Sequence, residues 1–125
     1  MRVLLDTHIY LWFVQDEARL SRRAYQIIQD ADEVFVSAAT IWEIAIKGAL
    51  GKIQADVDAL VAALEKNGFT ELPVRMAHAL QTRTLPLFHR DPFDRMLVSQ
   101  AMVGQLQLLT ADRRLHEYSP LVIAA

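Results

Sequence analysis

Short runs of β-branched and leucine residues alternate with longer segments of helical periodicity along the whole chain. No other feature restricts the fold as strongly. Strand–helix repetition gives a parallel sheet whose faces are covered by the connecting helices. Residues 2–5 read as a first strand, apolar on both faces and ending at Asp6, and residues 7–14 as a short helix carrying Tyr10, Trp12 and Phe13. Ser21 is placed to cap a helix reaching about residue 31, with Ala24, Ile27, Ile28 and Ala31 at helical spacing. Val34-Phe35-Val36 marks a second buried strand within residues 33–37, and residues 39–50 form a helix that Gly51 ends.

The same grammar continues to the end. Residues 56–67 are amphipathic through Val57, Leu60, Val61 and Leu64, with Gly68 as the stop. Residues 69–74 read as a third strand, which Pro73 confines to an edge or an end. A short helix over 75–82 precedes the loop Leu85-Pro86-Leu87-Phe88-His89-Arg90. Asp91 and Pro92 then open a helix as N-cap and first helical residue, and it runs to Gly104. Strands at 107–110 and 121–124 flank a helical turn at 113–118. The sequence shows no repeat, linker or low-complexity tract, so the expectation is one α/β domain over residues 1–125 with a central parallel sheet.

Composition narrows the function classes. A net charge of −2 gives no global attraction to nucleic acid or to an anionic membrane, so any phosphate contact must come from local basic patches or metal ions. Lysine occurs only at positions 47, 52 and 66, and the arginine bias suits planar recognition of phosphate. The absence of cysteine excludes disulfides, thiolate metal sites and cysteine nucleophiles. The apolar run after Met1 is too short for a signal peptide and no later stretch could span a bilayer, so a soluble cytoplasmic setting without membrane contact is expected. An apolar content of 53% is high for 125 residues and suggests that a partner or second copy covers some of the surface.

Four acids stand out against this frame: Asp6, Glu43, Asp94 and Asp112. In an open parallel sheet, ligands bind beyond the carboxyl ends of the strands, where Asp6 and Asp112 follow strands directly and Asp94 opens a helix. Each also has a structural use. Asp6 and Asp112 could cap helical turns, Asp94 could answer a helix dipole, and Glu43 could pair on the surface with Lys47. Such a surface pair leaves Trp42 and Ile46 unusual as its neighbours. Carboxylates gathered in one crevice raise each other's pKa unless a cation lies among them, so convergence would imply a divalent metal. Asp91 is explained first by N-cap duty and second as an outer acid.

The stretches Leu4-Leu5-Asp6-Thr7-His8, Trp42-Glu43-Ile44-Ala45-Ile46-Lys47 with Gly51-Lys52-Ile53, Asp91-Pro92-Phe93-Asp94-Arg95-Met96-Leu97 and Leu109-Thr110-Ala111-Asp112 together resemble the PIN-domain ribonucleases, and more narrowly the VapC type of bacterial toxin. The likeness spans the chain, and its specificity lies in the ordered set. It implies a PIN-like three-layer α/β/α domain and an acidic site of Asp6, Glu43, Asp94 and Asp112 holding Mg²⁺, with Mn²⁺ as a substitute. Thr7 and Thr110 fall where the family carries hydroxyls that bond an acid or a water. Arg90, Arg95, Arg113 and Arg114 flank the expected site and suit flanking phosphates of an RNA substrate. The likeness further implies a cognate antitoxin, with Tyr10, Trp12 and Phe13 as candidate groove residues, and a homodimer.

Two other classes compete. A metal-free acid–base pair drawn from His8, His78, His89 and His116 would cleave RNA through a cyclic phosphate, though no spacing singles out two of them. A non-catalytic α/β nucleotide- or partner-binding module is the alternative to an enzyme. Against it, the first strand is followed by no glycine-rich loop and the chain has only four glycines.

Overall fold

Strands β1 (Arg2–Leu5), β2 (Glu33–Ser37), β3 (Thr70–Leu72), β4 (Gln107–Thr110) and β5 (Val122–Ala124) form one parallel sheet in a computed structural model describing residues 1–125. Their spatial order is β3-β2-β1-β4-β5. The chain builds outward from β1 in one direction, then returns to lay β4 against its other side. The order therefore reverses between β1 and β4, which opens a crevice at their carboxyl ends.

Alternation along the strands divides the core into two layers. Val3, Leu5, Val34, Val36 and Leu109 pack with Ile9, Tyr10, Ile28, Ile44 and Leu60 on one face. Those partners come from helices α1 (Thr7–Val14), α2 (Arg22–Asp30), α3 (Ala38–Ala49) and α4 (Val57–Lys66). Leu4, Phe35 and Leu108, each one residue out of phase, pack on the other face with Leu97, Val98 and Ala101. These belong to α6 (Pro92–Gly104), against which α5 (Met76–Thr82) is laid. Strands buried on both faces explain why the sequence shows apolar runs rather than polar alternation.

Element ends follow their capping chemistry. Asp6, Ser21, Ser37, Asp56 and Asp91 each accept main-chain N–H bonds at the start of a helix. Gly51 and Gly68 adopt φ of +73° and +70° where the chain leaves α3 and α4. At the end of α6 the left-handed residue is Gln105, φ +54°, and not the neighbouring Gly104. A Cβ on Gly104 would lie 3.2 Å from Leu106 Cγ, so that glycine answers close packing. The terminal strands are shorter than expected, with β3 three residues long at one edge. No helix is long and apolar enough to cross a membrane.

Candidate functional site

Asp6 ends the central strand and caps α1 at once. Its Oδ1 accepts from the main-chain N–H groups of His8 and Ile9, at 2.9 and 3.1 Å, and its Oδ2 accepts from the Thr110 hydroxyl at 2.5 Å. The structural and functional readings are thus compatible, because a carboxylate has two oxygens. Burial pushes the Asp6 carboxyl up, against the hydrogen bonds from Thr110, Ile9 and His8 and the charge of His8. Thr110 is fully buried and also accepts the Asp112 N–H at 3.0 Å, so its hydroxyl orients acids on two strand ends.

Glu43 lies on the inner side of α3 and is only 2% exposed. The solvent-facing pair that its sequence also allows is not the arrangement adopted. The Glu43–Lys47 ion pair exists at i,i+4, but Trp42 takes the outward position, 62% exposed. Lys47 reaches Glu43 Oε2, and that bond is the leading reason its ammonium pKa is raised; Asp91 and Asp94 add to it. Glu43 Oε1 is buried and has no hydrogen-bond partner.

Asp94 sits in the first turn of α6, whose N-cap Asp91 accepts from the N–H groups of Phe93 and Asp94 at 2.9 and 3.1 Å. Burial raises the Asp94 carboxyl to about 6. A hydrogen bond from His89 works against this, while the charges of Asp91, Asp6 and Glu43 add to it. The charges of Asp91, Asp6 and Glu43 act on Asp94, which puts these carboxylates in one electrostatic neighbourhood. Asp91 is therefore both the cap expected from Asp91-Pro92 and a member of the acidic field.

His89 adjoins these acids, a place that sequence reasoning did not give it, having weighed it only as one of four histidines for a metal-free acid–base pair. Its Nε2 lies 2.8 Å from Asp94 Oδ2 and 3.9 Å from Asp112 Oδ2. His89, Asp94 and Asp112 each offer a ligand atom within 4.8 Å of the others. The only signal was its place in His89-Arg90-Asp91-Pro92, five residues before Asp94, inside a loop whose path the sequence does not reveal. Asp112 caps the 3₁₀ turn Arg113–Glu117 and accepts from the Arg114 Nε and Nη2, at 3.0 and 2.8 Å; that pairing holds its carboxyl below the usual range.

Several expected contacts fall elsewhere. Arg95 turns its guanidinium onto the carbonyls of Thr82, Leu85, Pro86 and His89 and onto the Tyr118 hydroxyl, so it fastens the 82–90 loop and is not presented to a phosphate. Thr7 is buried, and its hydroxyl meets that of Thr40 at 3.2 Å, not an acid. Arg90 and Arg113 are exposed without ion-pair partners. Tyr10 is fully buried, with its hydroxyl donating to Leu60 O at 2.6 Å, and Phe13 packs against Tyr25 and Phe69; neither lines a groove beside the acids. A groove does lie beside them, but between α3 and α6. Trp42 meets Phe93 edge-on at 5.1 Å, and with Val74, Pro92 and Met96 they line an apolar cleft of about 360 Å³. His78 is consumed as an acceptor for the Arg75 N–H, which removes it from any histidine pair.

Comparison with known proteins bears on the fold and the family. Residues 3–120 match the PIN domain family. Ribonuclease VapC22 of Mycobacterium tuberculosis is 32% identical over 122 residues, covering 93% of this chain and 91% of that protein. Two solved structures share the fold at low identity. VapBC2 from Rickettsia felis, bound to a DNA fragment from its promoter, aligns with a TM-score of 0.72 at 11% identity over 100% of this chain and 98% of that one. A toxin–antitoxin complex from Klebsiella pneumoniae aligns with a TM-score of 0.68 at 18% identity, covering 97% and 95%. By the span of the domain match and the identity to that ribonuclease, the chain belongs to the PIN-domain family and, within it, to the VapC type.

Proposed function

We propose that the protein is a divalent-metal-dependent endoribonuclease that acts in the cytoplasm as the toxin of a toxin–antitoxin pair. One observation carries the reading: a buried carboxylate oxygen, Glu43 Oε1, has no partner beside acids that already repel one another. Buried polar atoms are nearly always paired, and an unpaired carboxylate oxygen is among the costliest exceptions. The residues fit a hard cation. Asp6, Glu43, Asp94 and Asp112 offer oxygen donors suited to Mg²⁺ or Mn²⁺, with His89 adjoining Asp94 and Asp112. When bound, such an ion neutralises the converging charge and acidifies a water for in-line attack on a phosphodiester.

The chain's own residues prepare that chemistry. Thr110 and the first turn of α1 fix Asp6, Lys47 fixes Glu43, and His89 fixes Asp94. Holding each carboxylate in one orientation lowers the reorganisation needed when an ion or substrate arrives. Arg90 and Arg113 leave their planar donors free for phosphates on either side of the cleaved bond. With water as nucleophile and not the ribose 2′-hydroxyl, the products would end in a 5′-phosphate and a 3′-hydroxyl.

Two protein partners belong to the proposal, a cognate antitoxin and a second copy of the chain. The toxin–antitoxin assembly of the Klebsiella pneumoniae neighbour supports the first. Exposed Trp42 and Met76, at 62% and 86%, with the cleft beside Phe93, supply apolar surface that a protein contact would cover. The deciding assay is RNA cleavage with and without Mg²⁺ for the parent, Asp6→Ala and Glu43→Gln. Loss of cleavage in both variants, with the circular dichroism spectrum retained, is expected; normal cleavage by either removes that residue from the site.

A further inference from the structure

A second pocket of about 440 Å³ opens beside the first turn of α1, and none of the acids lines it. Its walls include His8, Trp12, Arg19, Lys52 and Ile53. In a chain of net charge −2, this pocket presents two cationic side chains and an imidazole with no carboxylate on its lining. Arg19 lies over the Trp12 ring with its guanidinium carbon 5.2 Å from the centroid, and the His8 ring tilts against the same indole at 5.9 Å. The indole thereby helps to hold the arginine in place. Glu17 is the nearest acid to Arg19, at 3.5 Å in an exposed pair, a contact of little strength.

The pocket is also built firmly and placed near the chemistry. The N–H groups of Lys52 and Ile53 donate to Lys47 O at 2.8 and 3.3 Å, which ties one wall to the last turn of α3, the helix of Glu43. Gln15 Nε2 donates to Gln54 O at 3.1 Å and joins that wall to α1, the helix Asp6 caps. His8 lies two residues beyond Asp6 and its main-chain N–H donates to Asp6 Oδ1 at 2.9 Å, so the pocket mouth and the acidic crevice share an edge.

We infer that this pocket receives one nucleotide of single-stranded RNA flanking the cleaved bond. Its phosphate lies between Arg19 and Lys52, and its base rests on the wall formed by His8 and Trp12. Charge complementarity favours a polyanion, and the aromatic wall favours bases over a plain acidic peptide. The inference rests on the ribonuclease reading above and adds a substrate subsite to it.

Binding of a fluorescent single-stranded oligoribonucleotide, followed by anisotropy in EDTA, reads the pocket without cleavage. Arg19→Glu combined with Lys52→Glu is suitable because both side chains are exposed and folding should survive. That pair should weaken binding by about tenfold or more and reduce the salt dependence by about 0.7 for each lost phosphate contact. Trp12→Leu, which keeps apolar bulk, should weaken binding by about fivefold or more through lost stacking. With Mg²⁺ present, the charge-reversal pair should raise KM far more than it lowers kcat, the mark of lost ground-state binding. Unchanged affinity in the charge-reversed protein overturns the subsite even if the parent cleaves RNA. A parent that binds RNA through these residues but never cleaves it leaves the subsite standing and removes the ribonuclease reading instead. Loss of acidic-peptide binding with RNA affinity intact would assign the pocket to a protein partner and overturn the inference.

Discussion

Asp94 shows what burial, with other acids nearby, costs a single carboxyl. Its folded pKa of about 6 stands above the ordinary 3.8, so between those values the folded protein holds a proton that the unfolded chain has released. Stability contributed by this group is therefore present at low pH and lost as pH rises from about 4 to 6. Asp94→Asn should stabilise the metal-free protein by on the order of 2 kcal/mol above pH 7 and by almost nothing near pH 4. Thermal melts in EDTA across that range check it; an equal gain at both ends would mean that charge is not the cause. Thr110→Val tests orientation instead of charge. Removing the hydroxyl leaves Asp6 Oδ2 and the Asp112 N–H without their partner and should weaken Mn²⁺ affinity by about 10-fold or more. Titration calorimetry measures it, and affinity equal to the parent's would show that Thr110 does not orient the ligands.

At the scale of elements, the strands and helices were legible because several local signals agreed on each. Asp6 after an apolar strand, Ser21 before an amphipathic run and Asp91 before Pro92 are caps that the sequence displays, and each donor bond is present. Which side of a helix turns inward was less legible. On α3 an acid is buried while Trp42 and Ile46 face outward, the reverse of ordinary hydrophobic patterning, because the inner position looks onto the crevice and not onto the core. The 82–90 loop was not legible at all. Arg95 determines its course through five acceptors spread from Thr82 to Tyr118, contacts that no local pattern encodes. That course delivers His89 to Asp94. Arg95→Ala should consequently destabilise the fold by about 2–4 kcal/mol, since it removes the charged partner of four carbonyls and a hydroxyl at once. Urea titration gives the value, and a loss below about 0.5 kcal/mol, the range of an ordinary surface change, would contradict this role. Gln105→Gly should act oppositely and add about 1 kcal/mol, relieving a left-handed residue at the end of α6. No gain on the same titration would show that position to be unstrained.

Across the whole molecule, the acids belong to four separate elements, and only the topology gathers them. The junction of β1 and α1 supplies Asp6, α3 Glu43, α6 Asp94 and the turn after β4 Asp112. An ion gripping all of them should bind the native state alone, raising its melting temperature with concentration and stabilising it by about 2.7 kcal/mol at a hundredfold excess over Kd. Asp6→Ala should abolish that dependence on Mn²⁺ in differential scanning fluorimetry; a retained shift would place the ion elsewhere.

The bond between Thr110 and Asp6 joins residues 104 apart in sequence, and Asp6 directly follows the first strand made while β4 is the second last. During synthesis, then, a growing polypeptide has no complete acid cluster until β4 emerges and pairs with β1. The site proposed above would therefore be incomplete throughout nearly all of translation and be assembled only as the last strands arrive. A premature stop anywhere upstream of β4 would leave a fragment that lacks Thr110 and Asp112 and so cannot form that cluster.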